Sequence, residues 1–301
     1  MGWRTVVVSS RAKLDFKMGY LMIRTEETVT RIHISEIAVL MIESTAVSLT
    51  AYLLCELAEA KVNIIFCDNQ RNPDGVYLPF YGSHDCSQKV KFQIQWTVEC
   101  KQAIWQKIVA AKITGQMKML LTANKTAEAE KLKSYLPDIQ PGDTTNREGH
   151  AAKVYFNALF GKGFTRTDEE NPINAELNYG YSILLSAVSR EVVSNGYLTQ
   201  IGIHHDNQFN HLNLACDLME PFRPFIDYVV VKLPNELNKD TKQKLIQVLD
   251  RKVIIDQRQQ SLLNALIIYV KSVLDCLSSQ NAAMIKFPDY DFKSYESNSI
   301  L

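Results

Sequence analysis

His205, Asp217 and Glu220 stand close together within residues 205–220. An imidazole and two carboxylates are donors that a divalent cation accepts, hard oxygens with one borderline nitrogen. Asp217 and Glu220 are three residues apart, so on a helix they neighbour one another on one face. Chemistry on phosphate is the first use for such a set. His204 and His205 are adjacent and point in different directions on any regular backbone, so only one joins the set, and local geometry does not choose between them.

Asn210 and Asn213 share the side of Asp217 and Glu220, opposite Leu214, Ala215 and Leu218. This polar stripe faces either water or a site. Acidic groups at a helix C-terminus meet the negative end of its dipole, at a cost of about 0.3–1 kcal/mol each. A compensating cation is therefore attracted. Pro221 ends the segment or opens the next helix, which leaves Glu220 at a junction.

Glu148 has two readings. Thr145-Asn-Arg-Glu148 fits a capping box, in which the glutamate bonds back to the cap amide. A role in chemistry instead requires the start of that helix to lie beside residues 205–220. Lys153 follows on the same helix, where it could meet a phosphate; His33, His84, His150 and His211 read as ordinary imidazoles bonded to backbone. There is no phosphate-binding Gly-x-x-x-x-Gly-Lys loop, dinucleotide glycine fingerprint, nucleophile elbow or His-Glu-x-x-His motif. Gly161-Lys-Gly-Phe-Thr-Arg166 has the wrong spacing for a nucleotide and reads as a loop. The chemistry needs no nucleotide as fuel.

Two kinds of element must position these groups. From Arg4 to Glu43, short stretches, several of them alternating, predict strands (Thr5–Val8, Ala12–Lys17, Tyr20–Arg24, Thr28–Ile34, Ile37–Ile42). Ser44 to Lys61 reads as a helix, Val62 to Phe66 as a buried strand, Asp68 to Gly75 as a turn region, and Val76 to Phe80 as extended. Beyond about Ser87 the period is helical. One long helix is expected from Phe92 through Ile108, and others over Ala127–Leu136, Arg147–Phe160, Asn174–Asn195, Phe209–Met219, Pro221–Val231, Lys239–Leu249 and Ser261–Leu277. The expected fold is α+β: a small β-rich domain over residues 1–86, then a larger all-α domain over 87–301 with a loose tail from about 287.

The chain has 301 residues, 33 Lys and Arg against 33 Asp and Glu, and six cysteines with no Cys-x-x-Cys pair. The cysteines read as reduced core thiols of a cytoplasmic protein, not as a zinc ribbon. Met1 to Val8 carries an early charge and does not read as a secretory leader, and no uncharged apolar run is long enough to span a bilayer; no membrane role is expected. Net charge is zero, but Ser87 to Arg166 holds thirteen Lys and Arg against six Asp and Glu. That surplus makes either a face for a polyanion or an ordinary solvated helix surface.

Gly202-Ile-His-His205, the run Asp217-Leu-Met-Glu220-Pro-Phe-Arg-Pro-Phe-Ile-Asp227, the Asn174 to Ser182 helix and Glu148 together resemble the CRISPR-associated integrase family of the first Cas protein. The likeness spans nearly the whole chain. Ser35 to Glu43 and Lys286-Phe-Pro-Asp-Tyr-Asp291 resemble its type II branch. The resemblance implies that the helical domain is catalytic and that Glu148, His205 and Glu220 are the catalytic, metal-binding residues, with Asp217 as a supporting acidic group. His205 is preferred over His204 because it stands three residues after Gly202. Glu220 fills a position that is Asp in other branches.

The resemblance further implies magnesium or manganese, double-stranded DNA, and a homodimer that a small second Cas subunit bridges into an integrase. Other adaptation proteins and the effector nuclease are further expected partners. In the implied reaction a 3′-hydroxyl attacks a phosphodiester beside a repeat, and water in its place would give nuclease activity. His205 could alternatively carry a proton to the leaving group. Arg147, Lys153 and Arg223, with basic residues from Lys89 to Arg166, are expected to meet DNA phosphates. A plain metal-dependent nuclease and a non-catalytic DNA-binding scaffold are the alternatives.

Overall fold

Apolar and polar residues alternate through the first third of the chain and draw it into strands. The computed structural model describes residues 2–79 and 82–292. The chain divides into two compact units, Met1–Gly82 and Ser83–Leu301.

The first unit holds β1 (Arg4–Val8), β2 (Ala12–Lys17), β3 (Tyr20–Arg24), β4 (Val29–His33), β5 (Ile37–Ile42), β6 (Val47–Leu49), α1 (Ala51–Glu59), β7 (Asn63–Cys67) and β8 (Pro73–Tyr77). One sheet has the order β1-β5-β7-β8, parallel except for β8; the other has the order β4-β3-β2-β6. All six residues of β5 are buried, as its unbroken apolar run requires of an inner parallel strand. Leu14, Leu21, Leu40, Leu53 and Ile64 form the heart of the core. The β2–β3 turn is made by Met18 and Gly19, both at positive φ, the conformation a two-residue hairpin demands.

Two expectations for this unit change. The stretch from Ser44 is not helical at its start: Val47 to Leu49 pairs with β2, and Thr50 caps the helix by accepting the Leu53 N–H. The turn region is also shorter, because the Asp68 carboxylate accepts the N–H groups of Gln70 and Asn72, both at 2.8 Å, and the chain extends again by Pro73. Phe80, the end of the expected extended piece, lies outside the described residues.

The second unit contains α2 (Cys86–Ile94), α3 (Val98–Thr122), α4 (Thr126–Tyr135), α5 (Arg147–Phe160), α6 (Pro172–Ser194), α7 (Asn213–Met219), α8 (Arg223–Val230), α9 (Lys239–Ile246), β9 (Lys252–Ile255), β10 (Arg258–Ser261) and α10 (Leu262–Ser279). The single helix expected from Phe92 through Ile108 is two, because Thr97 breaks the chain and caps α3 through the Cys100 N–H. The unit is not all helix either: β9 and β10 form an antiparallel hairpin turned by Asp256 and Gln257, both at positive φ. Without a glycine in that turn, the usual hairpin signal is missing.

α3 is the central post, with Ile104, Trp105, Ile108, Val109 and Ile113 fully buried. α4, α5, α8 and α10 pack against it. α10 has the length and hydropathy to cross a membrane despite Lys271 and Asp275, but 61% of it is buried inside this unit, as befits a core helix.

The described part of the expected loose tail is docked. Tyr290 donates a hydrogen bond to the Pro221 carbonyl at 2.9 Å, and buried Phe292 stacks on Tyr228. Gly115 on α3 permits this contact, since a Cβ there would stand 2.7 Å from the Tyr290 ring. Residues 293–301 lie outside the described residues. Of the cysteines, only Cys100 and Cys276 are buried, and all six are free thiols, with Cys55 exposed.

Candidate active site

Five parts of the second unit converge: α3 with Lys112, the start of α5 with Glu148, the loop before α7 with His205, α7 itself with Asp217, and the 3-10 turn of Glu220 to Phe222 that leads into α8.

Glu148 is free to take part because other groups cap its helix. The cap is Asn146, in the left-handed conformation, whose side chain accepts the Gly149 N–H. Asp143 accepts the N–H groups of Arg147 and Glu148, each at 2.9 Å, and the Thr145 hydroxyl bonds to the Asp138 carbonyl. The capping box that Thr145 and Glu148 spell out is therefore not formed. Glu148 instead turns to Lys112, with Oε1 at 2.6 Å from Nζ.

Asp217 is fully buried and holds the histidine loop together. It accepts three consecutive main-chain N–H groups, from Ile203 at 2.6 Å, His204 at 3.0 Å and His205 at 3.1 Å, and meets His205 Nδ1 at 2.6 Å. A carboxylate in such a nest accepts, so Nδ1 carries the proton and Nε2 is left with its lone pair. His204 is directed elsewhere: its ring stacks on buried Trp105, with centroids 4.4 Å apart and planes within 3°. Asp217 thus fixes the His205 ring and Trp105 the His204 ring.

Upstream, the Gln93 side chain on α2 binds the loop as a strand would, donating to the carbonyls of Leu198 and Ile201 and accepting the Leu198 N–H. Gly202 closes the nest, because a Cβ there would stand 2.3 Å from the His205 carbonyl oxygen and 2.8 Å from Asp217. We expect Gly202→Ala to force the loop open and lower stability by about 1–3 kcal/mol, read by denaturant unfolding; an unchanged midpoint and slope would exclude that packing role.

Glu220 is buried. Lys112 Nζ lies 2.5 Å from one of its oxygens, and Arg223 Nη2 lies 2.9 Å from the other. Burial alone would push the Glu220 carboxyl up, but Arg223 and Lys112 outweigh it and hold it below the ordinary value. Burial likewise works against the Lys112 ammonium, and the charges of Glu220 and Glu148 override it and raise it. His205 is raised chiefly by its bond to Asp217, and it also feels the charges of Glu220 and Glu148.

Arg223 rests on the Tyr181 ring, 4.7 Å from its centroid. Tyr181 and Tyr155 both donate to Asp227, which burial pushes up to about 6.

The polar stripe on α7 therefore faces inward, with Asn213, Asp217 and Glu220 all buried. The compensating cations required by the sequence are Lys112 and Arg223 of the protein itself. Lys112 was missed as a site residue, although it stands one helical turn from Ile108 on a face that continues to Gly115 and Met119.

Arg223, expected on DNA, is paired with Glu220. Arg147 pairs with Asp138 at 3.2 Å and lies over Tyr135. Lys153 is exposed on α5. At the end of the basic segment, Arg166 bonds Asn174 and Asn178 and lies over Tyr181.

Among the described residues, no three His, Cys, Asp or Glu side chains already stand at mutual ligand spacing. The donors nonetheless fit a hard divalent cation: two carboxylates from separate elements meet one positive atom, and a neighbouring imidazole has its other nitrogen fixed by a carboxylate.

Two solved structures share this fold. A casposase bound to an integration product matches with a TM-score of 0.73 at 19% identity, over 100% of this chain and 96% of its own. A Cas6-RT-Cas1–Cas2 complex matches with a TM-score of 0.72 at 18% identity, over 94% of this chain but 36% of the matched chain. They place the chain in the fold class shared by Cas1 proteins and casposases. The model of the CRISPR associated protein Cas1 family matches residues 5–266. The CRISPR-associated endonuclease Cas1 of Neisseria meningitidis serogroup C (strain 8013) is 34% identical over 96% of this chain and 97% of its own length. The chain belongs to the CRISPR-associated Cas1 family.

Proposed function

We propose that this chain is a metal-dependent DNA integrase of CRISPR adaptation, of the type II branch, that joins the 3′-hydroxyl of a captured duplex to a phosphodiester beside a repeat. Membership of the Cas1 family and the likeness to a Cas1 endonuclease support the nuclease part of this reading, and the fold shared with a casposase bound to an integration product supports the joining part. What the reading adds is the set of groups that carry the step. One observation supports it most: Glu148 and Glu220, from distant parts of the chain, meet at a single cationic atom beside a histidine whose tautomer is fixed by Asp217.

In this reading Glu148, Glu220 and His205 Nε2 hold magnesium or manganese. When bound, the ion supplies polarisation of the phosphoryl oxygen and stabilises charge on the leaving oxygen. Asp217 keeps the His205 proton on Nδ1 and fixes the ring. Arg223 holds one Glu220 oxygen and so orients the carboxylate. One phosphodiester replaces another, so the step consumes no nucleotide.

The relatives support the partners. One solved neighbour is an assembly with Cas2 and another is bound to an integration product. For this chain we assign double-stranded DNA, a homodimer bridged by the small second Cas subunit, and contacts with other adaptation proteins and the effector nuclease. Exposed Lys153 is a phosphate contact in this scheme, and Arg147 opens the same helix.

The test uses a repeat-bearing supercoiled plasmid, a short duplex with free 3′ ends, the second Cas subunit and Mn2+. Joined strands are expected, and EDTA should abolish them. Cutting without joining would reduce the protein to a nuclease, and binding without either would make it a scaffold.

The metal should also bind in proportion to the neutral fraction of His205. Because its folded pKa lies above the ordinary 6.5, the protonated ring competes over more of the acidic range. Mn2+ affinity should therefore rise as the pH climbs through and above 6.5 and level off once the ring is neutral. A titration series that is flat across that range would remove His205 from the ligand set.

A further inference from the structure

Lys112 occupies an unusual place for a lysine: its side chain is 8% exposed, and Nζ stands 2.6 Å from Glu148 and 2.5 Å from Glu220. A cation held by the same two oxygens at about 2.1 Å from each would stand close beside Nζ, which is 2.6 and 2.5 Å from them. Two positive centres that near one another repel strongly.

Charge leads to the same conclusion. The two carboxylates, Glu148 and Glu220, are balanced by two cations, Lys112 and Arg223. The charge of Asp217 is spent on main-chain N–H groups and the His205 ring. With Lys112 in place, the cluster offers a divalent ion no net negative charge. Nor can Arg223 be the group that yields, because its guanidinium is set on Tyr181 while Glu148 pairs with Lys112. Of the two cations, Lys112 alone touches both glutamates, and it sits on a long side chain whose methylenes can swing the ammonium aside.

We propose that Lys112 is a resident counter-cation that holds Glu148 and Glu220 together in the metal-free protein and is exchanged for the divalent ion, leaving the two carboxylates when the ion binds. The proposal rests on the metal-dependent reading above and adds a positioning residue to it. It has two consequences. The metal-free site is already organised, because the buried Glu220 and half-buried Glu148 carboxylates would repel one another without the ammonium. The apparent metal affinity is lowered, because binding must first break two ion pairs.

The test uses the full chain, as wild type and as Lys112→Met, with Mn2+ as the probe. Affinity is read by electron paramagnetic resonance of free Mn2+. In parallel, the reactivity of Lys112 in the wild type towards an acetylating reagent is read by mass spectrometry, in EDTA and in Mn2+. Lys112→Met should bind Mn2+ about tenfold or more tightly than wild type, and its unfolding temperature should be lower in EDTA but recover with Mn2+. In the wild type, Lys112 should be protected in EDTA and become reactive as Mn2+ saturates the site, a readout that does not depend on whether the variant folds.

Wild type that binds Mn2+ with Lys112 still protected would overturn the exchange, even if the variant bound more tightly, because simple repulsion would then explain the affinity. A variant that folds and binds no more tightly would overturn it as well. If neither protein bound Mn2+, the functional reading would fail and the exchange with it; Mn2+ binding by the variant alone would overturn the exchange, because the wild-type lysine would then block the ion without ever yielding to it.

Discussion

Glu220→Gln is expected to abolish strand joining and to leave a folded chain. The amide keeps the shape of the side chain and one oxygen for Arg223, which now sits 2.9 Å away, but it removes the negative charge on which a hard cation depends. Removal of one charged ligand from such a centre should lower the joining rate by about a thousandfold or more. Lys112 retains Glu148 as a partner at 2.6 Å, so the ammonium is not stranded and the loss of stability stays well below that for breaking an isolated buried pair, about 3–5 kcal/mol. The measurement pairs the plasmid-joining assay with denaturant unfolding. Joining within tenfold of wild type would remove Glu220 from the reacting centre.

Asp217→Ala does more damage to the fold and reaches the chemistry indirectly. Four hydrogen bonds end on this one carboxylate. Its removal leaves three neighbouring N–H groups without an acceptor in a closed nest, at a cost of about 1–3 kcal/mol for each group that stays buried. The loop is therefore expected to open, with a total loss of about 3 kcal/mol or more. His205 then loses its fixed tautomer, and Mn2+ affinity should fall by about 10–100-fold. Denaturant unfolding and a Mn2+ titration check the two parts separately. A variant that kept its stability but lost metal would show Asp217 to be a ligand, not a clasp.

The sequence made some of this legible and hid the rest for physical reasons. Alternation exposed β1 to β5, and the periods of α5 and α10 located those helices to within two residues. Asp217 and Glu220 could be singled out by type and spacing, because few surroundings favour a carboxylate at a helix C-terminus beside a proline; of the adjacent histidines, only the resemblance to a family preferred His205. Glu148 could not be singled out in this way. Its neighbours spell a helix cap, and only the resemblance to a family gave it a role; the competing cap formed by Asp143 and Asn146 depends on a 3-10 turn that has no periodicity.

Lys112 was hidden differently. It was counted within a basic segment, where a lysine usually faces water, although its spacing from Ile108 put it on the inner face of α3. The hairpin of β9 and β10 lacked the glycine that announces such turns, and the short strand β6 was absorbed into the helix that follows it.

The central position of α3 also bears on how the protein is made. Lys112 precedes Glu148 by 36 residues in the chain, His205 and Glu220 come later still, and Tyr290 near the C-terminus closes over Gly115 and holds the Pro221 carbonyl. Contacts of such long sequence separation form late in folding. A nascent chain still emerging from the ribosome thus carries its acidic residues far apart, and the cluster around Lys112 can assemble only after residue 220 has been synthesised.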